Sequence, residues 1–468
     1  MGSARDNCGL FGLYSENECS PRIFQALDFL QHRGQEYCGI ATFDGGIRQT
    51  THYGKAATTF TGREMEFMRG NWGIGHVSLW ERQPVVYQSH LGEISVGFSG
   101  NVINAAELIQ EMKGRGKAFF KGYNVEIIAK IIMEEPDLIA GIAALAEKIT
   151  GAYSLLVLCS AGIFAARDIY GFRPLILGQG AGSYAVSSES RAIQNLEMNV
   201  MRDVLPGEIV LVNDKGFRTM EQLSSPRKAH CAFEWAYTSS MDSILEGIYV
   251  QEARSNLGER LARRDMEEGG LQADIVAAVP MSGIGHALGY HKRSQITYEE
   301  VFLYDRYADR SYTLSTQFAR EKMAKRKLSV LPYAVRGKRI VLVDDSIVRG
   351  TQIYNKVRDL KKAGAKEVHV RIACPPLMYP CDFGISTRTY EELCARRYCR
   401  TGDITSLEQL RKLEAWVARE IGADSVRYNS LDAFVAALGI PRRDLCLKCW
   451  DGKVPMETQE EIAPARAK

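Results

Sequence analysis

Several things are missing from this 468-residue chain, and each absence excludes a class of protein. No apolar run approaches the about 18 residues a spanning helix needs, and no charged leader precedes an apolar stretch. A membrane-spanning or secreted protein is therefore not expected, and the expected location is cytoplasmic. Net charge is almost absent: 59 Lys and Arg face 56 Asp and Glu, for a formal +3. That balance gives no bulk attraction for nucleic acid or an anionic membrane, so any anion must be held locally. Internal repeats, low-complexity tracts and heptads are missing too, which excludes a solenoid or a coiled coil. Cysteine is sparse and odd in number, eleven in all, unlike a secreted disulfide framework. Reduced thiols, catalysis or metal binding fit better. What remains is 46% hydrophobic and 25% charged, enough for two or three domains with cores of their own.

Residues 7–214 read as alternating short strands and helices, with β-rich runs at 153–158 (YSLLVL) and 208–212 (EIVLV). Residues 220–228 (MEQLSSPRK) are polar and contain proline, and are the expected linker. The expected units are 1–7, a leader; 8–225; and 229–468. In the last, apolar runs at 274–279 (DIVAAV) and 339–343 (RIVLV) suit parallel strands covered on both faces, so an α/β unit is expected.

The strongest stretch is 341–352, VLVDDSIVRGTQ. A buried strand ends at Asp344 and Asp345, and Ser346, Arg349, Gly350 and Thr351 form a small-residue loop into a helix. Backbone N–H groups and hydroxyls there can converge on a phosphate. The two carboxylates are placed to accept ribose hydroxyls or to support Mg²⁺. This string resembles the signature of type I phosphoribosyltransferases, in the version carried by the amidophosphoribosyltransferase family. The resemblance implies that residues 346–351 bind the 5-phosphate of phosphoribosyl diphosphate and that the aspartates bind its ribose diol. Residues 279–283 (VPMSG), with Ser282, resemble the family's diphosphate-binding turn. Arg306, Tyr307, Arg310, Gln317, Arg320 and Lys327 resemble its closing loop. Two residues depart from the family: Met281 stands where the turn usually carries Asp, and Tyr304 where Lys is usual.

Cys8 opens CGLFGLY, and 31–42 reads QHRGQEYCGIAT; both resemble class II glutamine amidotransferases of the N-terminal nucleophile fold. In that family a leader, here Met1 to Asn7, is removed, and the freed α-amine serves the cysteine thiol as base. Gly75-His76, Gln83-Pro84, 151–154 (GAYS), 167–174 (RDIYGFRP), 187–190 (SSES) and 206–208 (PGE) continue the resemblance in order. The implied catalytic set is Cys8 with Gly100 and Asn101. The fold it implies is α/β and α+β: an αββα glutamine amidotransferase domain followed by a type I phosphoribosyltransferase domain with a parallel sheet.

Three pocket residues differ from the family. Ser78 replaces the arginine that clamps the glutamine carboxylate, in a shortened loop. Ser99-Gly100-Asn101 replaces Asn-Gly-Asn, whose first Asn supplies an oxyanion donor; losing one such donor typically costs about 10²- to 10³-fold in rate. Asn124 replaces the aspartate that pairs with the substrate ammonium. Arg82 and Ser99 are candidate substitutes. The expectation is glutamine hydrolysis that is poor, absent or directed to another amide.

Cys446 and Cys449, in CLKCW, have metal-ligand spacing, although one such pair also suits a redox motif or chance. Cys231 and Cys381 complete four thiols in positions that resemble the cluster-bearing branch of the family. Four thiolates suit a [4Fe-4S] centre or structural zinc, and the resemblance favours the cluster, in a structural role. Cys374, Cys394 and Cys399 are read as ordinary thiols.

The resemblance implies synthesis of 5-phosphoribosylamine from phosphoribosyl diphosphate at the entry to purine biosynthesis, with Mg²⁺ and with ammonia, or poorly with glutamine. It also implies a homodimer or homotetramer and regulation by purine nucleotides. The alternatives are transfer of phosphoribosyl to another acceptor, or a silent ligand-binding regulator.

Overall fold

The computed structural model describes residues 8–304 and 328–456, apart from 386, 388, 401–403 and 405. Its first half is a sandwich of two antiparallel sheets. Seven strands form one sheet, with Gly9–Ser15 between Ser183–Ser187 and Trp72–Ser78. Six form the other, where Gly151–Cys159 lies between Gly92–Val102 and Gly162–Arg167. Leu10, Ile74, Leu156, Leu158, Val186 and Val210 fill the space between them. Gly151–Cys159 is buried at every position because both of its faces are covered, which is why its sequence does not alternate.

Helices close the two outer faces. Ser20–Leu30 buries Ile23, Ala26, Leu27 and Leu30, the three-and-four spacing of one helical face. On the other side Ala105–Gly114, Asn124–Ile132 and Leu138–Lys148 cover the six-stranded sheet. The result is the αββα layering expected from the resemblance. The linker expectation needs one correction: residues 220–222 end the strand Gly216–Gln222. Met220 packs against the helix-covered core, and that burial outweighs the polar look of its neighbours.

The second half carries four parallel strands in the order Ile275–Ala278, Arg339–Asp344, Glu367–Ile372, Ser425–Tyr428. Helices Val250–Glu267 and Ile284–Ser294 cross beside it at backbone contact. A Cβ on Gly258 would stand 1.8 Å from the His286 carbonyl oxygen, and one on Gly289 would stand 1.9 Å from that of Ser255. Only glycine allows this approach. The apolar core is continuous across the two halves, running from Ile23 and Leu27 through Trp235 to Val276 and Val341. Among the described residues no helix is long and apolar enough to cross a membrane.

Candidate functional site

Ligands of open parallel sheets sit beyond the carboxyl ends of the strands. There Arg339–Asp344 ends at the two aspartates, and a short loop leads into the helix Thr351–Lys362. Gly350 precedes that helix with φ 84°, the left-handed region that favours glycine. The loop thus presents the helix N-terminus beside the carboxylates. Ser282, from the turn after Ile275–Ala278, donates its hydroxyl to Asp344 Oδ1 at 2.8 Å. Ser346 donates to Asp345 Oδ2 at 2.5 Å. Both aspartates are buried, which raises their carboxyls, and the Asp344 charge pushes Asp345 further above the usual carboxylate range. An adjacent buried anionic pair is a donor set that a divalent cation or sugar hydroxyls would relieve.

Asp344, Asp345, Ser346, Gly350, Thr351 and Ser282 are therefore gathered at one strand end. Arg349 is at its edge, with an exposed guanidinium paired to Glu392. Met281 is exposed on the diphosphate-type turn. Arg306, Tyr307, Arg310, Gln317, Arg320 and Lys327 lie outside the described residues, as does the leader Met1 to Asn7. Two residues here were not singled out in the sequence. Partial burial, with the charges of Asp345 and Asp344, raises the hydroxyl of the half-exposed Tyr237. Arg254 donates to the carbonyls of Trp235, Tyr237 and Ser239, holding that turn over the site.

The second cluster surrounds Cys8, which is buried. Its carbonyl accepts from Arg33 Nε at 3.0 Å and from Ser99 Oγ at 3.1 Å. Ser99, the candidate substitute donor, is thus directed at the backbone of Cys8. Gly100 has φ 150°, and a Cβ there would lie 1.9 Å from the Ala152 carbonyl oxygen, so the Ser-Gly-Asn string requires its glycine. Asn101 donates Nδ2 to the Asp382 carbonyl at 2.8 Å and accepts from Asn124 Nδ2 at 3.2 Å. Burial pushes the His76 imidazole down to about 3, so it stays neutral near pH 7.

Arg82 does not replace the missing clamp in this geometry: it is exposed, while its neighbours Glu81 and Gln83 are buried. The connection between the strands Trp72–Ser78 and Val85–Ser89 turns Glu81 inward and Arg82 outward. The Glu81 carboxylate accepts from the backbone of Asn124 at 2.9 Å and of Val125 at 3.4 Å, and from Gln83 Nε2 at 3.1 Å.

Arg33 forms a buried node behind Cys8. Its guanidinium meets Glu189 at 2.6 Å and Glu234 at 2.9 Å, and Glu234 also takes Arg173 at 2.8 Å. Burial pushes the Glu189 carboxyl up, but the charges of His32 and Arg33 outweigh it and leave the group well below its ordinary range.

The four cysteines converge between the halves. Cys231 pairs with Cys446 in a short parallel ladder. The Cys449 thiol hydrogen-bonds Cys381 and draws it down to about 6 against burial. Phe383 and Ile385 donate backbone N–H to Cys381 Sγ at 3.3 and 3.4 Å. All four are free and buried. Among the described residues no group of three or more His, Cys, Asp or Glu side chains stands ready to hold a metal ion. The fit to a metal centre therefore rests on chemistry: four soft donors, one of them thiolate-like and held by amides.

Comparison with known proteins bears on both halves. Residues 77–195 match the model of a glutamine amidotransferase domain. An amidophosphoribosyltransferase of Archaeoglobus fulgidus is 37% identical over 470 residues, 97% of this chain and 99% of the relative. One from Pyrococcus horikoshii is 38% identical over 461 residues, 96% of this chain and 97% of the relative. The solved glutamine phosphoribosylpyrophosphate amidotransferase of Bacillus subtilis, complexed with ADP and GMP, superposes with a TM-score of 0.87 at 33% identity. That match covers 98% of this chain and 99% of the other.

Proposed function

The chain belongs to the amidophosphoribosyltransferase family, enzymes of purine biosynthesis, and from that premise we propose that it makes 5-phosphoribosylamine from phosphoribosyl diphosphate, with ammonia rather than glutamine as the effective nitrogen source. The observation that carries the transferase half is the strand end at Asp344 and Asp345, with Ser282 bonded to it and the loop 346–351 beside it. In this reading the loop amides and hydroxyls hold the 5-phosphate and the aspartates hold the ribose diol. When bound, Mg²⁺ neutralises the departing diphosphate. The turn at Ser282 and the helix it begins fix the leaving group, so that C1 faces the incoming nitrogen.

What supports ammonia over glutamine is the state of the pocket around Cys8. Ser99 and Asn101 are engaged within the protein, Arg82 is exposed, and no charged residue stands at positions 78 or 124. Cys231, Cys381, Cys446 and Cys449 would hold the [4Fe-4S] centre, with structural zinc as the competing occupant, and the centre would tie the tail to the body of the fold. Purine nucleotides, such as those bound by the Bacillus subtilis relative, are the proposed regulators.

The test is diphosphate release by anaerobically purified protein with Mg²⁺, comparing ammonium with glutamine. Turnover with ammonium and about 10²-fold less or lower with glutamine, the loss expected for one missing oxyanion donor, is the expected result. Equal turnover overturns the nitrogen assignment, and none with either moves the reading to a silent regulator or another acceptor.

A further inference from the structure

Ser78, Gln83, Asn124 and Val125 all hydrogen-bond to Glu81. Ser78 donates its hydroxyl to the Glu81 carbonyl at 2.6 Å, and the Glu81 carboxylate accepts from the Asn124 backbone at 2.9 Å. The two positions where a zwitterionic head group would find charged partners thus both bond the same internal residue. Val125 N–H and Gln83 Nε2 also donate to the carboxylate, at 3.4 and 3.1 Å. Gln83 is itself fixed, accepting from the Phe98 backbone at 2.7 Å. The Asn124 side chain is turned away to Asn101.

Burying a carboxylate is costly unless it is hydrogen-bonded, and this one is only 3% exposed. Its donors include two of the first amides of the nine-residue helix Asn124–Ile132, whose N-cap Tyr123 supplies no side-chain hydrogen bond. The positive helix end favours an anion there, and Glu81 is the anion.

We propose that Glu81 is a built-in occupant of the amide pocket: its carboxylate fills the head-group end and closes the pocket to free glutamine and other amino acids. A tethered carboxylate outcompetes a dissolved one because its association is intramolecular. The inference rests on reading the surroundings of Cys8 as an amide pocket, and it explains why that pocket would not serve the transferase.

The experiment is ligand binding by the full chain, without phosphoribosyl diphosphate, read by calorimetry and thermal unfolding. Wild type should show no saturable binding of L-glutamine or acetate. Glu81→Ala opens the donors of Gln83, Asn124 and Val125, so both ligands should bind it saturably and raise its melting temperature by about 2–4 °C, a shift chloride at equal ionic strength does not give. Glu81→Gln keeps the volume filled and should bind neither. Should Glu81→Ala not accumulate folded, Glu81→Ser opens the same space and takes its place. Saturable glutamine binding by wild type, or no uptake by the opened variant, overturns the proposal. Because the readout needs no turnover, an inactive transferase would leave it standing, and ammonium-dependent turnover by a glutamine-binding wild type would sink this inference alone.

Discussion

Arg33 meets two carboxylates at once, Glu189 and Glu234, while its Nε holds the carbonyl of Cys8. All three charged groups are buried. A buried pair adds little net stability over apolar residues of the same size, but removing one partner strands the other. Arg33→Met should therefore cost about 3–5 kcal/mol near neutral pH, read by denaturant unfolding. The pH dependence has a definite sign. Glu189 and Glu234 are held below their ordinary range, with Arg33 among the causes for each. Their contribution is present in full above the unfolded carboxyl value of about 4.3 and is lost as pH falls through the folded values. The gap between wild type and Arg33→Met should accordingly narrow below about pH 4.3, as the wild type loses the contribution of the carboxylates that Arg33 helps to hold ionised. A gap that stayed constant into acid would mean that Arg33 acts through packing alone.

At the scale of elements, the helix Ile284–Ser294 begins directly after the turn that carries Ser282, so its position sets where that turn stands. Its seat against Val250–Glu267 depends on Gly289, where a Cβ would meet backbone. Gly289→Ala should force the helices apart, destabilise by about 1–3 kcal/mol, and raise KM for phosphoribosyl diphosphate more than it lowers kcat. Unchanged KM with the same stability loss would uncouple the helix seat from the turn. The strand ends and this turn were legible in the sequence because their signal is local: an apolar run, then Asp344-Asp345 or Pro280-Met281-Ser282-Gly283, within a dozen residues. Glu81 and Arg33 were not. Their distant partners lie 43 residues away for Glu81 and 156 and 201 residues away for Arg33, and no periodicity spans such distances. At Arg82, a candidate substitute for the clamp, the charge was readable in the sequence but its outward facing was not. The sheet edge at 220–222 failed as a linker for a similar reason, since a polar sequence does not reveal that Met220 has a core to enter.

Across the whole molecule, the four thiols lie on segments far apart in the sequence that the fold brings together. The ladder of His230–Cys231 with Leu445–Cys446 docks the tail, and the Cys449 carbonyl accepts from Met378 and Tyr379, beside the loop of Cys381. That loop reaches the amide pocket, since the Asp382 carbonyl accepts from Asn101 while Lys448 pairs with the Asp382 side chain. A centre held by all four cysteines would clamp tail, transferase half and pocket wall together, and its binding energy would become folding energy. Cys446→Ser should then abolish acid-labile sulfide and bound iron in anaerobically prepared protein. It should also lower the melting temperature and expose residues 445–456 to limited proteolysis. Wild type containing stoichiometric zinc without sulfide would replace the cluster with a tetrahedral site but keep the clamp. Wild type containing neither metal, with Cys446→Ser equally resistant to protease, would leave the ladder and the Lys448 contacts as sufficient to hold the tail.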